Sequence, residues 1–154
     1  MTQWPKQCDV PDFFGDIGAN LVRMELPYPM RLAWKKDVVV RSTMVHEKVA
    51  DSAHRVLSAT KDFYGDRIPE LGLDLFGGCY NPRKMTNGNA WSMHAWGIAF
   101  DFDPERNLYK YGRDRATLAR PEYHVWWKLW EDEGWVSLGR ARNFDWMHVQ
   151  AARL

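Results

Sequence analysis

Cysteine is scarce. Only Cys8 and Cys79 occur in 154 residues, too few to staple a domain and at no metal-binding spacing, so both are expected to be free thiols. Long apolar runs are missing as well. No stretch approaches the ~20 residues that a membrane helix needs, and no stable membrane association is expected. The opening Met1-Thr2-Gln3-Trp4-Pro5-Lys6 lacks the basic start and apolar run of an export signal, so synthesis in the cytoplasm is expected. Neither sign of charge dominates. With 21 basic and 20 acidic residues, the chain does not look like a nucleic-acid binder, which is usually clearly basic.

What is abundant is aromatic. Of the nine tryptophans and the 14% aromatic share, part must be core, and such abundance also suits a groove that holds a peptide or a sugar. The length fits one domain, 1–154, and a monomer is expected. Residues 1–40 read as an irregular N-terminal segment, punctuated by Pro5, Pro11, Pro27 and Pro29, with Leu32 to Trp34 and Val38 to Val40 as one strand or hairpin edge. A helix is expected from Ser42 to Tyr64, with Val45, Val49, Ala53 and Val56 at helical spacing and Gly65 as its stop. His46 and His54 lie on it as capping or surface residues. Leu73 to Tyr80 reads as a strand. A second helix follows Pro121 and runs to Glu133, with Trp126, Trp127 and Trp130 on an aromatic face; His124 has no evident partner. Trp135 to Gly139 and Phe144 to Gln150 read as a hairpin with Arg140 to Asn143 at its tip.

The chemistry gathers at Trp91-Ser92-Met93-His94-Ala95-Trp96-Gly97-Ile98-Ala99-Phe100-Asp101-Phe102-Asp103. From Ile98 the run alternates, so Ile98, Phe100 and Phe102 share one face and Ala99, Asp101 and Asp103 the other. Gly97 lets the chain turn before that strand and bring His94 over Asp101. An imidazole and a carboxylate held together supply two of the three ligands of a catalytic zinc site. A third is available in Asp145-Trp146-Met147-His148. Either segment alone is more often a hydrogen-bonded structural pair; the two together are far more specific.

The pattern Ser92-x-His94-x-x-Gly97-x-Ala99-x-Asp101, followed by Asp145-x-x-His148, resembles the zinc peptidases of the D-alanyl-D-alanine carboxypeptidase family. That family also holds bacteriophage endolysins that cut the L-alanyl-D-glutamate bond of peptidoglycan. The resemblance runs from about Leu75 to the end. It implies an α+β fold of the hedgehog/D-Ala-D-Ala peptidase type, with a small antiparallel sheet carrying the ligands and two main flanking helices. It implies Zn²⁺ on His94, Asp101 and His148, with Asp145 as the general base. It also implies that Arg83 steadies substrate or its developing oxyanion, and that Ser92 and Trp146 line the substrate site. In this sequence Asn81 and Pro82 separate Tyr80 from Arg83, a departure from the family's Tyr-Arg segment. Asp103 is a rival ligand to Asp101, but the family spacing favours Asp101 and leaves Asp103 to steady the centre or the turn.

Asp at the base position, where many members carry Glu, tilts the resemblance toward the endolysin branch. Asp is one carbon–carbon bond shorter, roughly 1.5 Å, so the chain must approach the metal more closely there. The implied activity is hydrolysis of the peptidoglycan stem peptide, by a protein released to the cell wall after synthesis in a host cytoplasm. A D,D-carboxypeptidase is the alternative within the same chemistry, and an inactive zinc- or wall-binding virion domain the alternative outside it. No separate cell-wall-binding domain is visible. Asp145 and His148, three apart, would face opposite sides of an ideal strand. If both serve the centre, the chain must bend near Trp146 and Met147.

Overall fold

Two prolines, Pro27 and Pro29, sit inside one of the two longest strands of the protein. In the computed structural model, which describes residues 3–86 and 88–154, β1 (Leu21–Leu32) and β2 (Lys35–His46) form an antiparallel hairpin. The expected irregular segment over residues 1–40 is thereby corrected. Irregular chain with short helical turns, including α1 (Val10–Phe14), fills only the part before β1. Proline lacks the N–H that a ladder needs, which is why the sequence argued against a strand here. The hairpin absorbs the prolines in a register shift: Glu25 pairs with Ser42 and Met30 with Val40, so Leu26 to Pro29 oppose Arg41 alone. Such a bulge is where strand proline is tolerated. Met24, Leu26, Tyr28 and Met30 still alternate into the core.

The same pairing moves the start of the first long helix. Residues Ser42 to His46 belong to β2 and pair with β1, so α2 spans Glu47–Tyr64 and does not begin at Ser42. His46 caps it. Its Nδ1 accepts from Lys48 N at 3.1 Å while its Nε2–H donates to Phe14 O at 2.8 Å. Val49, Ala53, Val56 and Leu57 bury the inner face of α2.

After α3 (Ile68–Leu71) come β3 (Leu75–Gly78) and β4 (Ala99–Phe102). A single turn of 3-10 helix at Pro121–Tyr123 leads into α4 (His124–Asp132), followed by β5 (Val136–Ser137), α5 (Leu138–Arg142) and β6 (His148–Gln150). The sheet order is β2-β1-β3-β4-β6-β5. Only β1 and β3 run parallel; the other neighbours are antiparallel. The fold is α+β, with a six-stranded, mostly antiparallel open sheet. β5 and β6 do pair, but the expected tip is α5, started by Ser137 Oγ accepting from Arg140 N at 3.2 Å.

Phe100 and Phe102 of β4 point into a core with Phe76, Trp126, Trp130 and Trp135. The rings meet edge to face, Trp130 to Trp135 at 4.8 Å and Phe102 to Trp126 at 4.9 Å between centroids. Burying each such ring contributes about 1.5–3 kcal/mol. Strand alternation then sends Asp101 to the opposite face, away from the apolar layer. Asp103 does not share that face. Its backbone turns left-handed, with φ +48°, and its carboxylate pairs with Arg106 at 2.6 Å, so it fastens the turn after β4.

Candidate metal centre

Three elements deliver three side chains. Met93–Trp96 forms a single 3-10 turn, started by Ser92 Oγ accepting from His94 N at 3.2 Å. Gly97 ends it with φ +70°. A Cβ there would lie 2.8 Å from a Leu21 methyl and 3.0 Å from His46 N, so only glycine lets this turn sit against the hairpin. Asp101 and His148 are direct cross-strand partners in β4 and β6, adjacent on one face. On the other side of Asp101, a Cβ on Gly77 would come within 3.0 Å of the Asp101 Cβ. The bare backbone of β3 gives the carboxylate its room.

The three groups converge. His94 Nε2 lies 3.2 Å from Asp101 Oδ2, and His148 Nδ1 lies 3.1 Å from Asp101 Oδ1. One potential ligand atom from each residue falls within 4.8 Å of the others. His94 is 2% exposed and His148 is buried.

Outer partners decide which imidazole nitrogens face the centre. His94 Nδ1 is 2.7 Å from the Cys79 carbonyl, which can only accept, so Nδ1 carries the proton and Nε2 presents its lone pair. His148 Nε2 is 2.8 Å from Gln150 Oε1. The Gln150 amide is fixed in turn, because its Nε2 donates to the Ala152 carbonyl and to Gln7 Oε1. His148 Nε2–H is therefore the donor and Nδ1 faces inward with a lone pair. Two lone pairs and a carboxylate thus point at one buried spot, and His94 Nε2 has no hydrogen-bond partner there. Such a donor set suits a cation.

The same field shows in the protonation of these three groups. Burial alone would raise Asp101, but the charge of His94 and the hydrogen bond from His148 hold it below the ordinary carboxylate range. Burial pulls His148 down, yet the hydrogen bond and charge of Asp101 win and raise it. A proton is drawn to the place that a metal ion would take. The buried His94–Asp101–His148 group fits a divalent metal by its donors, its burial and its orphaned nitrogen.

Asp145 stands beside this group. Its Oδ2 is 4.0 Å from His148 Nδ1, and burial, chiefly, raises its pKa. The bend required by the three-residue spacing is present: Asp145 has φ +54°, Trp146 and Met147 form a turn, and His148 N donates back to Asp145 O at 3.1 Å. Asp145 N donates to Tyr109 O at 2.9 Å, tying the bend to the preceding loop. A left-handed aspartate is sparsely populated and costs on the order of 1 kcal/mol or more.

Arg83 is exposed and close enough to Asp145 that its charge opposes that rise. Two cavities meet at the centre, and Arg83 borders both. The larger, about 310 Å³, includes Ser92, Tyr109, Phe144, Asp145 and His148 in its walls. The smaller, about 260 Å³, includes Trp34, Gly77, Tyr80, His94 and Asp101. Ser92, expected to touch substrate or orient His94, caps the His94 turn and reaches the larger cavity. Trp146 lies elsewhere. Its ring covers Gly139, packs 6.4 Å from Trp127 and donates to Asn143 Oδ1 at 3.2 Å, outside the walls of both cavities. A further depression, about 450 Å³ between α4 and α5, takes in Trp146 but none of His94, Asp101, Asp145 and His148, and its Arg140 is paired with Glu131.

Sequence reasoning did not single out Gln150, the Cys79 carbonyl, Tyr109, Arg142 or Trp34. Gln150 had a signal, being two residues after His148 and so on the same strand face. Arg142 reaches the larger cavity because the chain curls through α5. No family model matches this chain, and neither the curated proteins nor the solved structures give a match.

Proposed function

We propose that this chain is a zinc-dependent peptidase of peptidoglycan, acting on the L-alanyl-D-glutamate bond of the stem peptide, with a hedgehog/D-Ala-D-Ala peptidase type of fold. The observation that carries the reading is the aim of the donors: two imidazole lone pairs fixed by acceptors behind them, one ionised carboxylate, and an orphaned His94 Nε2. Two nitrogens and one oxygen are a zinc-type ligand set that leaves a coordination position open. The ion, when bound, supplies Lewis acidity that polarises the scissile carbonyl and acidifies a water.

The rest of the chemistry belongs to the chain. Asp145, with its pKa raised by burial, accepts the proton of the attacking water and returns it to the amine as the C–N bond breaks. Its left-handed backbone keeps the short aspartate side chain close to the centre. Arg83, at the junction of both cavities, steadies the charge that develops on the carbonyl oxygen. Cavities on both sides of the centre suit substrate that continues in both directions, which favours an endopeptidase over a D,D-carboxypeptidase. No helix among the described residues is long and apolar enough to cross a membrane, in keeping with a protein that reaches the wall by release.

The test is digestion of purified peptidoglycan by zinc-loaded wild type and Asp145→Asn, with products identified by mass. Asparagine tolerates the left-handed backbone, so the variant keeps the bend. New L-Ala C-termini and D-Glu N-termini, absent with the variant, are expected. Release of terminal D-Ala alone would instead assign carboxypeptidase chemistry, with Arg83 holding the terminal carboxylate. Intact walls from several sources after wild-type treatment would sink the peptidase reading and leave a zinc- or wall-binding domain.

A further inference from the structure

Trp34 is a large apolar side chain held out in a tight turn. It sits in the two-residue turn between β1 and β2, where Leu32 pairs with Lys35. Tight turns select glycine, asparagine or aspartate, not tryptophan. At 70% exposure it is the most exposed large apolar side chain among the described residues. Yet its position is fixed, because the adjacent Ala33 is buried and donates its N–H to Phe76 O of β3 at 2.9 Å. The turn therefore holds an indole in the wall of the smaller cavity, which Gly77, Gly78, Arg83, His94 and Asp101 also line. A Cβ on Gly78 would meet nothing within 4 Å, so there is open space at that part of the lining.

The position of Asp145 orients the substrate, and this step rests on the peptidase reading. The base returns its proton to the leaving amine, so the amine half occupies the larger cavity, which contains Asp145 and Arg142. The acyl half then lies on the Trp34 side. In an L-alanyl-D-glutamate bond that half is one alanine, whose nitrogen is joined through a lactyl ether to an N-acetylated amino sugar. One extended residue spans about 3.5 Å and the lactyl link adds a comparable step, which puts the sugar roughly 7 Å from the scissile carbon, within the cavity that Trp34 lines. A pyranose presents an apolar C–H face that an indole covers, and the indole N–H can donate to its oxygens.

We propose that Trp34 is a substrate-binding residue that stacks on the sugar carrying the stem peptide, so that the protein prefers sugar-attached stem peptide to the free peptide. The test compares two soluble probes, a muropeptide that retains its amino sugar and the same peptide without it. Wild type, Trp34→Ala and Trp34→Phe are assayed on both, and binding of both probes is measured calorimetrically in an Asp145→Asn background with and without Trp34→Ala. The expected ratio of kcat/KM, sugar-bearing over sugar-free, falls roughly tenfold in Trp34→Ala, mainly through KM, and Phe restores part of it. An unchanged ratio, or an equal loss on both probes, overturns the proposal. If wild type cleaves neither probe but binding of the sugar-bearing one still depends on Trp34, the peptidase reading fails and the sugar platform stands. Binding of neither probe overturns both.

Discussion

His148 donates from Nε2 to Gln150 Oε1 at 2.8 Å, and so turns its Nδ1 toward Asp101, 3.1 Å away. The two residues share one face of β6, and the glutamine acts on the centre only through the histidine. Partners of this kind commonly tune metal affinity by 10–100-fold.

Gln150→Leu is therefore expected to weaken zinc binding roughly 10–100-fold while the sheet persists. Chelator competition gives the affinity, and far-ultraviolet circular dichroism checks the fold. Wild-type affinity in the variant would mean that the tautomer is set by something else.

Metal and folding should be linked through Asp101. Zinc at about 100 times its dissociation constant contributes roughly 2.7 kcal/mol, which in a chain of this size raises Tm by roughly 5–10 °C. Asp101→Asn keeps the shape but loses the charge, and the zinc-dependent rise should vanish. A full rise in the variant would move the ion to another site.

Asp145 predicts an acid limb. Burial raises its pKa above the ordinary aspartate value, and the base works only when deprotonated, so kcat/KM should fall as pH drops through that raised value. Asp145→Asn is expected to lose about 10²–10⁴-fold in kcat and the acid limb with it, while zinc content stays near one per chain. An acid limb of the same position in the variant would assign it to another group.

Away from the centre, Glu133 joins α2 to the end of α4. It accepts from Arg55 at 2.8 Å and from Ser52 at 2.8 Å, and the Arg55 hydrogen bond chiefly holds its pKa below the ordinary glutamate value. A depressed carboxylate stabilises above its unfolded pKa, and the effect is lost as pH falls through the folded value. Glu133→Gln should cost about 1 kcal/mol or less at neutral pH, because Arg55 is solvent-exposed. The Tm gap between wild type and variant should close as pH drops from about 5 toward 3. A gap that widens on acidification would contradict the assignment.

Much of the centre was legible because it depends on short spacings. Strand period alone set Asp101 opposite Phe100 and Phe102, and Gly97 announced the turn that carries His94. The three-residue gap between Asp145 and His148 demanded a bend, and the left-handed Asp145 is where it falls. The β1–β2 hairpin was legible only near its tip, at Leu32 to Trp34 and Val38 to Val40; over Pro27 and Pro29 the missing N–H argues against a strand unless a bulge shifts the register, and cross-strand pairing decides that. For the same reason Ser42 to His46 became strand, although their apolar spacing continues the helix. Trp146 illustrates the remaining gap: its neighbours in sequence serve the centre, but Gly139 of α5 leaves the space its ring fills on the other side, and only the curl of the chain through α5 brings the two together. The sequence by itself determined which groups are available and how each strand segment faces. Only the tertiary structure decided which of them meet, because β4 and β6, the His94 turn and the rim at Trp34 come from segments that touch only when the sheet has formed.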